Sequence, residues 1–296
     1  MKWFSVIQIM RPANIITAIA DIIAGIAIAG LLLPEIWNQE LVIQIILLII
    51  STIGLYSGGI VFNDICDIKQ DRLNRPERVI PSGRLSLKEA KILGICLFLI
   101  GISSAFLVSY YSGIIAFSIM VFALLYDKFA KHQKILGPVN MGICRGLNLI
   151  LGMTINKYLF PENLLIGLIP VIFIAAITLT AQKETKGKNK LAIATAMLLD
   201  ISIVIGFVLM SLYLNLSLKN TAIFLIIWYL INLIAKTKAI LNNNPILIQK
   251  AVKMGVLSLI PLNASYVAGF SSIFMALLVM CLLPFSLYLA KKFPVT

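Results

Sequence analysis

Long apolar runs, each close to the length of one bilayer crossing, recur along the chain with short polar breaks between them. A helix that crosses the hydrocarbon layer needs roughly 20 such residues. Ten runs reach or approach that length: 14–33, 41–62, 90–108, 113–126, 136–155, 164–181, 191–214, 220–235, 251–268 and 271–290. The fourth and eighth are short and the join "AGFSS" between the last two is tight, so the pattern predicts nine to ten spanning helices. The runs are continuous, with no alternation of period two, which excludes an outer-membrane barrel. At the start, "MKWFSVIQIMRPAN" is interrupted by Arg11 and Pro12 before any small-residue cleavage site, so the first helix is expected to stay as an anchor.

Composition strengthens this picture. The chain of 296 residues is 60% hydrophobic and only 12% charged, against about 25% charged in a soluble domain. The expected fold class is all-α: a single integral membrane domain over 1–296, a polytopic transmembrane helical bundle around a central lipid-accessible cavity.

The net charge of +13 would suggest nucleic acid in a soluble protein, so its placement decides. With ten helices and a cytoplasmic N-terminus, Lys2, Arg11, the six basic residues from Lys69 to Lys88, Lys128, Lys131, Lys134, the lysines of 183–190, Lys236, Lys238, Lys250, Lys253, Lys291 and Lys292 fall on one side. Lys157 and Lys219 fall on the other. That asymmetry is the positive-inside pattern of short loops; it removes nucleic acid as a partner and predicts a prokaryotic inner membrane with cytoplasmic charged loops. Four scattered cysteines, Cys66, Cys96, Cys144 and Cys281, indicate neither a disulfide framework nor a zinc site.

Two polar connections stand out on the expected cytoplasmic side, 63–89 and 182–190, four spans apart; both are expected to cap the bundle. Within the spans lie Asp21, Asn140, Arg145, Asn148, Asp200, Asn232 and Asn263. Interhelical hydrogen bonds account for the asparagines, whereas ionised groups at that depth need a cavity or a partner, and Asp21, Arg145 and Asp200 are expected to face a cavity.

The first connection, "NDICDIKQDRLNRPERVIPSGR", carries the chemistry. Placed on a helix that continues the second span, Asn63, Asp64, Asp67 and Asp71 step by three and four residues and share a face. Carboxylates that close repel one another unless a cation sits among them. All-oxygen donors suit a hard ion, Mg2+ better than Ca2+, because magnesium takes one or two carboxylates together with phosphate oxygens. Arg72, Arg75, Arg78 and Arg84 follow, in a segment stiffened by Pro76 and Pro81 and freed at Gly83. Acids followed by guanidinium forks make a site for metal plus diphosphate.

"NDICDIKQD" running into "DRLNRPERVIPSGRLS" resembles the first aspartate-rich motif and following tail of UbiA-type intramembrane prenyltransferases. The resemblance extends to "MRPANIITAIADIIAG", "LLYDKFAKHQKILGPVNMGICRGLNLILG" and "KETKGKNK", and looks closest to the EboC-like branch. It implies magnesium-dependent transfer of a prenyl group from an isoprenyl diphosphate to an aromatic or membrane-lipid acceptor. It further implies that Asn63, Asp64, Asp67 and Asp71 hold the metal, that Arg72, Arg75 and Lys128 lie near the diphosphate, and that Asn140 and Arg145 face the cavity. Asn14, Lys183 and Lys186 join the expected substrate-binding set, and Asp64, Asp67, Asp71, Arg145 and Glu184 the expected catalytic set.

One departure bears on activity. Where the family carries a second aspartate cluster, this chain reads "TAQKETKGKNK", whose one acid is Glu184. Lysines standing in for a second metal keep a one-metal transferase open. The alternative is a non-catalytic isoprenoid- or lipid-binding component of a membrane export or lipid-handling assembly.

Overall fold

The computed structural model describes residues 2–156, 161–182 and 189–293, and fourteen α-helices lie within them. In chain order these are α1 (Lys2–Ile9), α2 (Pro12–Ile28), α3 (Gln39–Cys66), α4 (Ile68–Asn74), α5 (Leu87–Val108), α6 (Tyr110–Lys128), α7 (Leu136–Met153), α8 (Leu168–Ala181), α9 (Lys190–Tyr213), α10 (Leu218–Asn242), α11 (Pro245–Leu257), α12 (Leu259–Phe270), α13 (Ile273–Met280) and α14 (Leu282–Lys292). No strand occurs among the described residues.

Local chemistry sets the helix starts. Asn38 accepts the Leu41 amide at 2.8 Å to begin α3, and Ser86 and Glu89 form a reciprocal capping box on α5. Ser109 caps α6, while Pro12 and Pro245 occupy the first turns of α2 and α11, where a missing N–H costs nothing.

Eight described helices, or joined helix pairs, are long and apolar enough to cross a bilayer, and nine if α1 and α2 count as one span bent by 54°. The ten runs expected from sequence all appear as helices, but α7 is missing from that set because Asn140, Arg145 and Asn148 dilute its apolarity. The two short runs lengthen: α6 has 19 residues and α10 has 25. The extension of α10 corrects the placement of Lys236, expected in a solvated loop. It is 1% exposed and bonded to Asp200 at 2.6 Å.

Helix contacts inside a bilayer rely on close packing more than on apolar burial, so small residues matter. Where α2 crosses α7, a Cβ added to Gly25 would lie 2.8 Å from the Gly152 Cα, so the two backbones nearly touch. That approach lets a buried polar network form between α2, α3, α7 and α12. Arg145 Nε pairs with Asp21 Oδ2 at 2.5 Å, and Arg145 Nη2 donates to Thr17 Oγ1 at 2.9 Å. Asn148 and Asn263 donate to Asp21 at 3.0 and 2.7 Å, and Thr52 donates to Asn148 at 2.7 Å. Asn148, Asn232 and Asn263 thus make the expected interhelical bonds, and the Asn140 Oδ1 has no partner among the described residues. Asp21, Arg145 and Asp200 differ from expectation: each meets its burial through an opposite charge on a neighbouring helix.

Candidate active site

The first polar connection, 63–89, lies at the end of the bundle where α2 begins and α3 and α6 finish. The continuous helix expected through the acidic run is broken there. α3 ends at Cys66, Asp67 sits at φ −87°, ψ 2°, and α4 starts at Ile68. Backbone bonds still bridge the join, with the Asp67 amide on the Asn63 carbonyl at 3.0 Å and the Asp71 amide on the Asp67 carbonyl at 2.8 Å.

The break sorts the acids into two groups. Asp64 and Asp71 turn to one side, where Arg78 Nη1 lies 3.4 Å from Asp64 Oδ1 and 2.8 Å from Asp71 Oδ2. Arg11 Nη2 reaches Asp64 Oδ1 at 2.8 Å from the junction of α1 and α2. Arg11 holds a left-handed backbone conformation, φ 51°, a cost of order 1–3 kcal/mol that non-glycine residues carry only where surroundings impose it. Asp67 turns to the other side and pairs with the Lys131 ammonium. Asn63 joins that side, its Nδ2 donating to Asp127 Oδ1 at 2.7 Å.

Two clefts flank the break. One, about 340 Å³, is lined by Asp67, Asp127, Lys69, Lys128 and Lys131. The other, about 290 Å³, is lined by Asp64, Arg11, Arg75, Arg78 and Glu77. The segment 75–86 closes over this second cleft through Arg84, which donates to Gln8 at 2.7 Å and to the Glu77 carbonyl at 2.6 Å. Gly83, at φ 75°, supplies the turn that Arg84 needs.

The structure brings together Asn63, Asp64, Asp67, Asp71, Arg75 and Lys128 of the expected residues. Arg72 is exposed, and the Lys128 ammonium lies 5.2 Å over the Phe129 ring. Asn14 is buried on the first turn of α2, and Asn140 is half-buried at the start of α7. Arg145 lies deeper, tied to Asp21, and does not join the acidic row. Glu184, Lys183 and Lys186, with Lys157 and Lys188, lie outside the described residues.

Three participants were not assigned a role from sequence: Arg11, Asp127 and Lys131. Arg11 stood in a quoted stretch but read as a positive-inside charge, while Arg78, expected among the diphosphate-binding guanidinium forks, pairs with Asp64 and Asp71. Asp127 lies on the last turn of α6 and Lys131 in the 3-10 turn Ala130–His132 after it, just past the fourth apolar run, where local pattern gave no signal.

Among the described residues no three acidic, histidine or cysteine side chains converge as metal ligands, so the expected meeting of the row on one ion is not present in this arrangement. The donor chemistry nevertheless suits a hard divalent ion, since the polar atoms offered are carboxylate and amide oxygens. Guanidinium and ammonium groups from Arg11, Arg78 and Lys131 bring to these oxygens the positive charge that an ion would supply.

Residues 22–242 match the UbiA prenyltransferase family. The chain belongs to that family. It is 33% identical over 181 residues to the digeranylgeranylglyceryl phosphate synthase of Saccharolobus solfataricus, covering 60% of this chain and 61% of that one. It is 34% identical over 187 residues to the enzyme of the same name from Methanobrevibacter smithii, covering 61% of each. The chain thus spans about three fifths of the length of these relatives. Among solved structures, a UbiA homologue from Aeropyrum pernix superposes with a TM-score of 0.69 at 18% identity, covering 90% of this chain and 98% of that one. A UbiA homologue from Archaeoglobus fulgidus, bound to GPP and Mg2+, gives 0.65 at 13% identity, covering 86% of this chain and 99% of that one. These likenesses establish the all-helical UbiA fold for this family member.

Proposed function

We propose that this chain transfers a prenyl group from an isoprenyl diphosphate to a lipid acceptor inside the bilayer, with Mg2+ as cofactor. The observation that carries the reading is the acidic row at the α3–α4 break, ringed by Arg11, Arg78 and Lys131 at the mouth of an apolar bundle of this family. Relatives named as synthases of a glyceryl phosphate lipid favour an acceptor of that class over an aromatic ring. They lend no support to the narrower EboC-like placement.

In this reading Asn63, Asp64, Asp67 and Asp71 hold the ion. When bound, magnesium offsets the negative charge that the leaving diphosphate gains. Arg75 and Lys128, each lining a cleft beside the row, contact diphosphate oxygens. Arg78 and Arg11 hold Asp64 and Asp71 in place before substrate arrives. The apolar bundle admits the prenyl chain from lipid and keeps water from the allylic cation. Lys183, Lys186 and Glu184 of the second connection, 182–190, remain the further candidates for binding the diphosphate. The positive-inside distribution supports a cytoplasmic position for this end, in a prokaryotic inner membrane.

The test is transfer by purified protein in liposomes. Radiolabelled geranylgeranyl diphosphate, Mg2+ and either a glyceryl phosphate lipid or an aromatic acceptor should give labelled lipid and free diphosphate with the first acceptor, and chelation should stop it. Binding of the donor without release of diphosphate, with both acceptors, would overturn transfer in favour of a lipid-handling role.

A further inference from the structure

Asn63 reaches the acidic row with one end of its amide already committed. Its Nδ2 donates to Asp127 Oδ1 at 2.7 Å, and Asp127, 4% exposed, is held on the last turn of α6. We propose that Asp127 is a positioning residue, whose carboxylate fixes the Asn63 amide so that Oδ1 rather than the NH2 group faces the cation and diphosphate. This inference rests on the reading above that Asn63 is an oxygen donor.

The physical case starts from what each group can do. Asp127 Oδ1 accepts a hydrogen bond here, whereas an amide has a donating end and an accepting end. Facing Asp127, the amide must therefore turn its NH2 inward and its oxygen away. Without such a partner the terminal torsion of asparagine is broad and roughly two-fold, so the two orientations compete. The wrong one would present two N–H donors to a cation and repel it. The hydrogen bond from Nδ2 to Asp127 Oδ1, at 2.7 Å, settles the orientation.

The α6 end performs a second task from the same side. Lys131, in the 3-10 turn Ala130–His132 that follows α6, holds Asp67. The end of α6 and the turn that follows it thus hold two members of the row, Asn63 by its amide and Asp67 by its carboxylate. Asp127 itself need not touch the ion to act.

The experiment is a double-mutant cycle read by direct binding. Full-length protein in lipid nanodiscs is titrated with Mn2+, followed by electron paramagnetic resonance, in the presence of a non-hydrolysable thio analogue of geranylgeranyl diphosphate. Asp127→Asn keeps the shape but accepts either amide orientation, and should weaken Mn2+ binding about 10–100-fold, the usual effect of removing a partner that orients a ligand. In the Asn63→Ala background the same change should cost less than about twofold, because no amide remains to orient. An equal loss in both backgrounds would mean that Asp127 acts only as a distant charge, and no loss in either would mean that it only packs; both results overturn the inference. Thermal midpoints check folding. Should Asp127→Asn not fold, the exchanged pair Asn63→Asp with Asp127→Asn keeps charge and hydrogen bond, and should bind Mn2+ within about threefold of wild type. A loss there as large as that of Asn63→Ala also overturns the inference. If the wild type itself binds no Mn2+ with the analogue, the proposed function falls as well; normal wild-type binding with an indifferent Asp127→Asn sinks this inference alone.

Discussion

Replacing Lys236 by methionine keeps most of the side-chain volume and removes one charge from the bundle. Lys236 and Asp200 have side chains 1% and 2% exposed, and they meet at 2.6 Å between α10 and α9. The second Asp200 oxygen has no hydrogen-bond partner among the described residues, so the lysine supplies the compensation that the carboxylate has. Breaking such a pair from one side costs about 3–5 kcal/mol, because a buried charge is left behind. Removing both partners differs sharply: exchange of a buried pair for apolar residues of similar size is neutral or stabilising by about 1–4 kcal/mol. Lys236→Met should therefore destabilise by about 3–5 kcal/mol, while Asp200→Leu combined with Lys236→Met should return to wild-type stability or exceed it. Unfolding free energies in mixed detergent–SDS micelles measure both. A loss under about 1 kcal/mol for the single change, or a double variant as unstable as the single, would refute the assignment of these two residues as a closed ion pair.

Arg145→Met should also cost about 3–5 kcal/mol by stranding Asp21 with only Asn148 and Asn263 as donors, read as a fall in thermal midpoint. Gly25→Ala forces a methyl to within 2.8 Å of the Gly152 Cα, and overpacking of that kind should destabilise by about 1–3 kcal/mol, while Gly30→Ala, with nothing within 4 Å, tests the separate penalty of its φ of 75°. Asp64→Ala should abolish Mg2+-dependent binding of labelled prenyl diphosphate in a filter assay; full retention would show that the row does not bind the donor through metal.

Runs of apolar residues made the helices legible, because each segment reports its environment through its own composition. The turn at Gly83 was legible too, through the residue type that a positive φ favours. The break at Asp67 was not, since a three-and-four spacing is equally consistent with one straight helix and with two joined at an angle. Lys236 was misplaced for a related reason: six residues from the end of α10, a lysine reads as a solvated terminus unless the partner on α9 is known. Asp127 and Lys131 became visible only when α6 was seen to end beside α3. Their roles depend on a contact 64 positions apart in the chain, and local pattern carries no information about such pairs.

The polarity of α7 has a consequence for biogenesis. An arginine at the centre of a segment adds about 2.5–3.5 kcal/mol to its insertion by the translocon, and α7 alone falls short of the apolarity found in its neighbours. Its partner aspartate lies in α2, which emerges from the ribosome far earlier. The nascent chain is therefore expected to integrate α7 with help from segments already waiting at the exit gate, and substitutions of Asp21 should appear first as misintegrated topology during synthesis, before any fault in the mature protein.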